Sequence, residues 1–223
     1  MTTTVVTEKA ARSGVQGMTG GTTKIQVQLA SVEILVGGPY KNRSYGHAAL
    51  HVVTKEGERV YDYGRYGNTW GVGDSEGEGI LNVWTNFNVY IASENSLGRI
   101  TTGFVYEVQE EKAKAINDFF VTKIGGKKPK AFGRSKSVYV IEDYYALGTN
   151  CTTLTVQAAK VALPNIDREA SIYNKGRGLG IMEKGLVQMS GWPPHIFMPT
   201  DLQKMIEGDS SGKLKRIKTY GSK

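Results

Sequence analysis

GHAALHVV (46–53) carries two of the three histidines of this 223-residue chain, His47 and His51. Whether it is helix or strand decides the fold and the chemistry together. On a helix, residues four apart share a face and offer two imidazoles to one metal ion, as in the His-Glu-x-x-His pattern of zinc enzymes. The residue after His47 is Ala48, so the glutamate of that pattern is missing. The segment reads instead as a strand. There the two rings share a face but stand about 13 Å apart, at a rise of ~3.3 Å per residue. They cannot chelate one ion, so neither a metal nor another cofactor is expected.

The strand folds back on itself. TKEGE (54–58) is a turn and RVYDYGRY (59–66) its return, a hairpin pattern. With the turn at Glu56-Gly57, Asp62 falls opposite His51 and on the face that also carries His47. Tyr61 and Tyr63 then point the other way, beside Ala48 and Leu50. A base and a carboxylate to orient it therefore share one face. This register brings Asp62 closer to His51; a bulge or a longer turn returns it to His47. The plainer reading of Asp62 is a solvated strand residue.

LGTNCTTLTVQA (147–158) holds the only cysteine, Cys151, at the mouth of a helix-like run. Thr149 and Asn150 are both good N-caps. A thiol attacks as a thiolate, and a helix N-terminus and a neighbouring imidazolium both lower its pKa from about 8.5. Backbone N–H groups of the first turn are candidates to hold an acyl oxyanion. The alternative is packing, since free cysteine is among the most buried residue types and Leu154 follows three residues on. His195, after Trp192-Pro193-Pro194, reads as a loop residue without a role.

Around these motifs, residues 1–22 read as a flexible lead. KIQVQLASVEILV (24–36) is a strand whose apolar parity switches near Ala30 and Ser31, suggesting a bulge or bend. Residues 37–46 are a loop, and the Gly-rich stretch 67–79 is a long one. Strands are expected around 80–92, 100–108 and 137–145. EEKAKAINDFFVTKIGG (110–126) is a helix, with acids in its first turn and Gly125 at its stop. The cysteine helix covers about 151–162, residues 174–191 are irregular, and 199–206 is a short helix with a Thr200-x-x-Gln203 capping box. Residues 209–223 read as a polar, basic tail. Strands, a helix, a strand and a second helix make an α+β domain over 23–208.

Composition narrows the function classes. One cysteine excludes a disulfide framework and a Cys-rich zinc site. No apolar run approaches the ~20 residues that span a bilayer, and the N-terminus lacks the apolar core of a signal peptide. Net charge is +7, with basic density in GGKKPKAFGRSK (125–136) and KLKRIK (213–218). That suits an anionic polymer or surface, but no nucleic-acid-binding motif accompanies it, and no specific nucleic acid is expected. NKGRGLG (174–180) neither follows a strand nor opens a helix, so it is not a phosphate loop. Tyr61, Tyr63, Tyr66 and Trp70 line either a binding groove or the core.

Gly46-His47-Ala48-Ala49-Leu50, the return VYDYG and the later Asn150-Cys151-Thr152 together resemble the circularly permuted branch of the NlpC/P60 (papain-like) cysteine peptidases and amidases. The resemblance covers 47–64 and 149–162. It implies a papain-like fold, an antiparallel sheet packed against helices, with the histidine strand before the cysteine helix. It further implies catalytic Cys151 and His47, with Asp62 as the third polar residue, although the 15-residue gap from His47 to Asp62 is longer than the family norm. The family cleaves amide bonds in peptidoglycan stem peptides. Small basic members without a signal peptide resemble antibacterial effectors of the type VI secretion system. For such a protein the expected partners are the stem peptide, an immunity protein and a component of the secretion apparatus. It would be cytoplasmic in the producer, leave without a signal peptide and act in the target-cell periplasm. Acyltransferases and lipid esterases of the same branch share the Cys–His pair, and a non-catalytic wall-binding module is the remaining alternative.

Overall fold

The computed structural model describes residues 5–6, 25–26, 29–41, 44–71 and 75–221. The flexible lead expected over 1–22 lies outside them, apart from β1 (Val5–Val6), which forms a two-residue ladder with β2 (Ile25–Gln26). The remaining strands are β3 (Leu29–Gly37), β4 (His47–Thr54), β5 (Gly57–Trp70), β6 (Glu76–Trp84), β7 (Thr101–Gln109), β8 (Ala131–Phe132), β9 (Lys136–Tyr145) and β10 (Leu214–Tyr220). They make one antiparallel sheet in the order β10-β7-β3-β4-β5-β6-β9-β8. Six helices complete the described residues: α1 (Phe87–Ser96), α2 (Glu110–Ile124), α3 (Cys151–Ala162), α4 (Ala170–Tyr173), α5 (Ile181–Ser190) and α6 (Pro199–Glu207). The architecture is α+β.

β3 and β4 lie in the middle of the sheet and are buried on both faces. Val32, Ile34, Val36, Ala48, Leu50 and Val52 face the main core, where residues of α2, α3 and α6 join them. Leu35 and Ala49 face a smaller cluster with Trp84 and with Tyr90 and Ile91 of α1. Double burial replaces strict alternation with a near-continuous apolar run. β3 pairs with β7 without interruption from Leu29 to Gly37, so the bulge or bend expected near Ala30 and Ser31 does not occur there. Leu50 is fully buried; its truncation to alanine costs about 2–5 kcal/mol.

Several elements depart from expectation. The long loop over 67–79 is largely sheet, since β5 runs to Trp70 and β6 begins at Glu76. Its glycines serve close packing: a Cβ on Gly77 would stand 2.7 Å from Cγ of Arg65. The strand expected to reach residue 92 ends at Trp84, because Asn86 caps α1 by accepting the N–H of Val89. Residues 181–190 of the irregular stretch form α5, whose Ile181, Met182, Leu186 and Met189 face solvent instead of a core. Thr200 does not cap α6: Met198 is the N-cap and Pro199 occupies the first turn, where its fixed φ suits a helix start. The basic tail supplies β10, paired with β7 from Leu214 to Tyr220. The helices at 110 and 151 form as expected, with Gly125 in the left-handed conformation at the end of α2.

Candidate active site

The site is assembled from β4, β5, β6, β9 and the start of α3. Gly46 turns the chain into β4 at φ +74°, and a Cβ there would meet the carbonyl oxygen of Gly37 at 2.7 Å. His47 follows as the first residue of β4. The β4–β5 hairpin turns at Lys55 and Glu56, with Thr54 facing Gly57 and Leu50 facing Tyr61. That is one residue earlier than the expected Glu56-Gly57. Moving a two-residue turn by one slides the partner strand by two and preserves the faces. Asp62 therefore stays on the histidine face but moves away from His51 and towards His47, without any bulge or longer turn.

The carboxylate of Asp62 lies 2.7 Å from Nε2 of His47, and both residues are buried. Asn82, directly across the β5–β6 ladder, donates Nδ2–H to the other carboxylate oxygen at 3.1 Å. The Tyr66 hydroxyl donates to Asp62 Oδ1 at 2.8 Å and lies 3.3 Å from Nε2 of His47. Burial disfavours the charge on Asp62, yet the bonds from His47, Tyr66 and Asn82 bring its pKa below the ordinary value. With Nε2 engaged, Nδ1 is the ring nitrogen left for the thiol of Cys151, which lies close enough to His47 for each to shift the other's ionisation.

Cys151 opens α3. Asn150 caps it with its side-chain oxygen, accepting N–H groups of Thr152 and Thr153 at 2.8 and 3.0 Å, and Thr153 closes the capping box. Those two amides are thereby occupied, so the expected oxyanion role contracts to the N–H of Cys151 itself. The hydroxyl of Tyr144, on β9, lies 3.9 Å from Sγ. Burial raises the thiol's pKa; the bond and charge of His47, the N–H of Ala48 and the Thr152 hydroxyl outweigh it, and the net shift is downward. Burial likewise pulls His47 down, but the Asp62 bond and charge and the thiolate raise it to about 10. Both shifts favour transfer of the thiol proton to the imidazole.

Cys151 is 6% exposed yet lines a groove of about 530 Å³. Tyr45, Arg65 and Tyr144 contribute polar wall; Leu179, Leu186 and Met198 contribute apolar wall. Glu183 of α5 is tied across the groove rim to the Tyr45 hydroxyl and caps its own helix by accepting the N–H of Gly180.

The three residues singled out in the sequence thus meet, while His51 does not join them and His195 is exposed in the loop before α6. Of the tyrosine cluster, Tyr61 and Tyr63 are core, Tyr66 belongs to the site, and Trp70 is exposed at the end of β5. Asn82 and Tyr144 were not anticipated. Asn82 becomes visible only once 67–79 is recognised as a hairpin, because its pairing with Asp62 follows from that register. Among the described residues no helix is long and apolar enough to cross a membrane. No family model, no curated protein and no solved structure matches the chain.

Proposed function

We propose that the protein is a cysteine hydrolase of the permuted NlpC/P60, papain-like type, which cleaves amide bonds in peptidoglycan stem peptides. One observation carries this reading: a cysteine at the first position of a capped helix lies beside a buried histidine, each shifting the other's ionisation, and a buried carboxylate holds that histidine's far nitrogen. In this mechanism the thiolate of Cys151 adds to the scissile carbonyl. The Cys151 N–H and the Tyr144 hydroxyl receive the developing oxyanion. His47 gives its proton to the leaving amine, then takes one from the water that releases the acyl group. Asp62, braced by Asn82 and Tyr66, fixes the ring orientation and stabilises the imidazolium. The basic charge suits an anionic wall polymer. In this reading the protein is an antibacterial effector, delivered by a secretion apparatus to the target-cell periplasm and neutralised in the producer's cytoplasm by an immunity protein.

The test is digestion of purified sacculi with the wild type and Cys151→Ala, followed by muropeptide separation. New peptide-cleaved muropeptides from the wild type alone are expected; identical profiles would reject the cell-wall reading.

A second reading has an observation of its own. Ile181, Met182, Leu186 and Met189 of α5 are exposed, and Leu186 also lines the groove. An apolar face beside a Cys–His pair suits a lipid acyl chain, as in the acyltransferases and esterases of the same branch. Release of fatty acid from phospholipid vesicles by the wild type, with none from Cys151→Ala, would favour this substrate over the peptide.

A further inference from the structure

Arg65 stands out among the groove residues that the chemistry above does not use. It occupies β5 opposite Gly79, and the β5–β6 register breaks immediately after it, resuming at Thr69 and Gly77. Such irregularities re-aim side chains next to active sites. Here the stem of Arg65 lies over Gly77, where any Cβ would collide with it. Its guanidinium stands over the ring of Tyr144, 6.0 Å from the centroid, and Tyr144 in turn reaches Sγ of Cys151. Among the described residues no carboxylate pairs with Arg65. The other charged residue of the groove wall, Glu183, is already tied to Tyr45 and Gly180. The groove therefore offers one open cation, on a braced stem, on the same wall as the tyrosine beside the nucleophile.

We infer that Arg65 forms a carboxylate subsite and that the preferred substrate carries a free carboxylate close to the bond that Cys151 attacks. This deepens the hydrolase reading and rests on it for the word substrate. A planar guanidinium matches a carboxylate with two parallel N–H donors, which an amide in the same position cannot accept equally. In a stem peptide the inference selects chains with a free α-carboxylate beside the scissile bond over chains in which that group is amidated.

The experiment needs no turnover. Cys151 is alkylated with chloroacetyl-glycine and, separately, with chloroacetyl-glycinamide, which differ only in the carboxylate. For the wild type the acid is expected to react at least about tenfold faster than the amide, the scale of one charge-assisted contact. In Arg65→Met the ratio is expected to fall to about one. The His47 imidazolium attracts the acid in both proteins, so the change in the ratio reads Arg65. A wild-type ratio near one, or an unchanged ratio in Arg65→Met, overturns the inference. If Arg65→Met does not fold, Arg65→Gln takes its place: the same fall in the ratio to about one supports the subsite, and a ratio unchanged from the wild type overturns it. Sacculus digestion fails or succeeds separately, so loss of the cell-wall reading is distinguishable from loss of the subsite.

Discussion

His47 and His51 stand four residues apart on one strand, on one face, each 7% exposed and each beside a carboxylate. Burial and a charged neighbour do not tell them apart. The second nitrogen does. His51 spends both: Nδ1 faces Glu33 at 3.1 Å and Nε2 faces Glu58 at 3.2 Å, while Phe87 stacks flat on the ring at 4.2 Å. Glu33 is fastened further by the Tyr220 hydroxyl of β10, and Glu58 accepts the N–H of Phe87 at the start of α1. His51 is thus a clamp that ties β3, β5, β10 and α1 together. His47 spends one nitrogen on Asp62 and turns the other to a thiol at the edge of a groove. An imidazole with a carboxylate on each side holds structure; one with a single carboxylate behind it is equipped to move a proton.

The largest test of this contrast removes each ring in turn. His47→Ala and Cys151→Ala are each expected to abolish amide cleavage, a loss of at least ~10⁴-fold, whereas His51→Gln retains most of it in the same muropeptide assay. Equal losses in His47→Ala and His51→Gln would erase the distinction. Asp62→Asn keeps the shape but removes the charge behind the imidazolium, and a fall in kcat of about 10²-fold is expected. A pH series sharpens the point. The thiol of Cys151 is shifted down and His47 holds its proton up to about 10. Iodoacetamide labelling should therefore rise at a lower pH in the wild type than in His47→Ala, where it should rise only through pH ~8.5 or above; coincident profiles would remove His47 as the cause of the shift. The same shift has a stability consequence. The folded pKa of His47 lies above its unfolded value of 6.5, so the contribution is complete below 6.5 and is lost as pH climbs through about 10. Urea midpoints at pH 7 and pH 10.5 should show it. The smallest effect belongs to the clamp: His51→Gln is expected to cost about 2 kcal/mol, and thermal melting would read it as a drop of about 4–8 °C.

How much of this was legible in the sequence depended on the range of the forces involved. The cap at Asn150, the stop at Gly125 and the strand character of GHAALHVV are local, and each appeared where the residues indicated. His47, Asp62 and Cys151 were identifiable as a set through residue type and strand parity, because parity survives a turn that moves by one residue. What did not survive was distance. The pairing of Asp62 with His47 rather than His51 rested on which two residues made the turn. Asn82 and Tyr144 were hidden because β5–β6 looked like a glycine-rich loop, when its glycines make room for neighbouring side chains such as Arg65. α5 was missed because its apolar residues face outward, leaving only Val187 buried.

Among the described residues β10 is the last strand at one side of the sheet, with no strand paired to its outer edge. Such an edge invites another chain to add a strand. The exposed Lys215, Arg216 and Lys218 answer that invitation with like charge, because a second copy arriving edge to edge would bring three cations against three. The same three cations therefore oppose pairing of two copies along this edge, and neutralising them would remove that barrier to a strand-paired dimer.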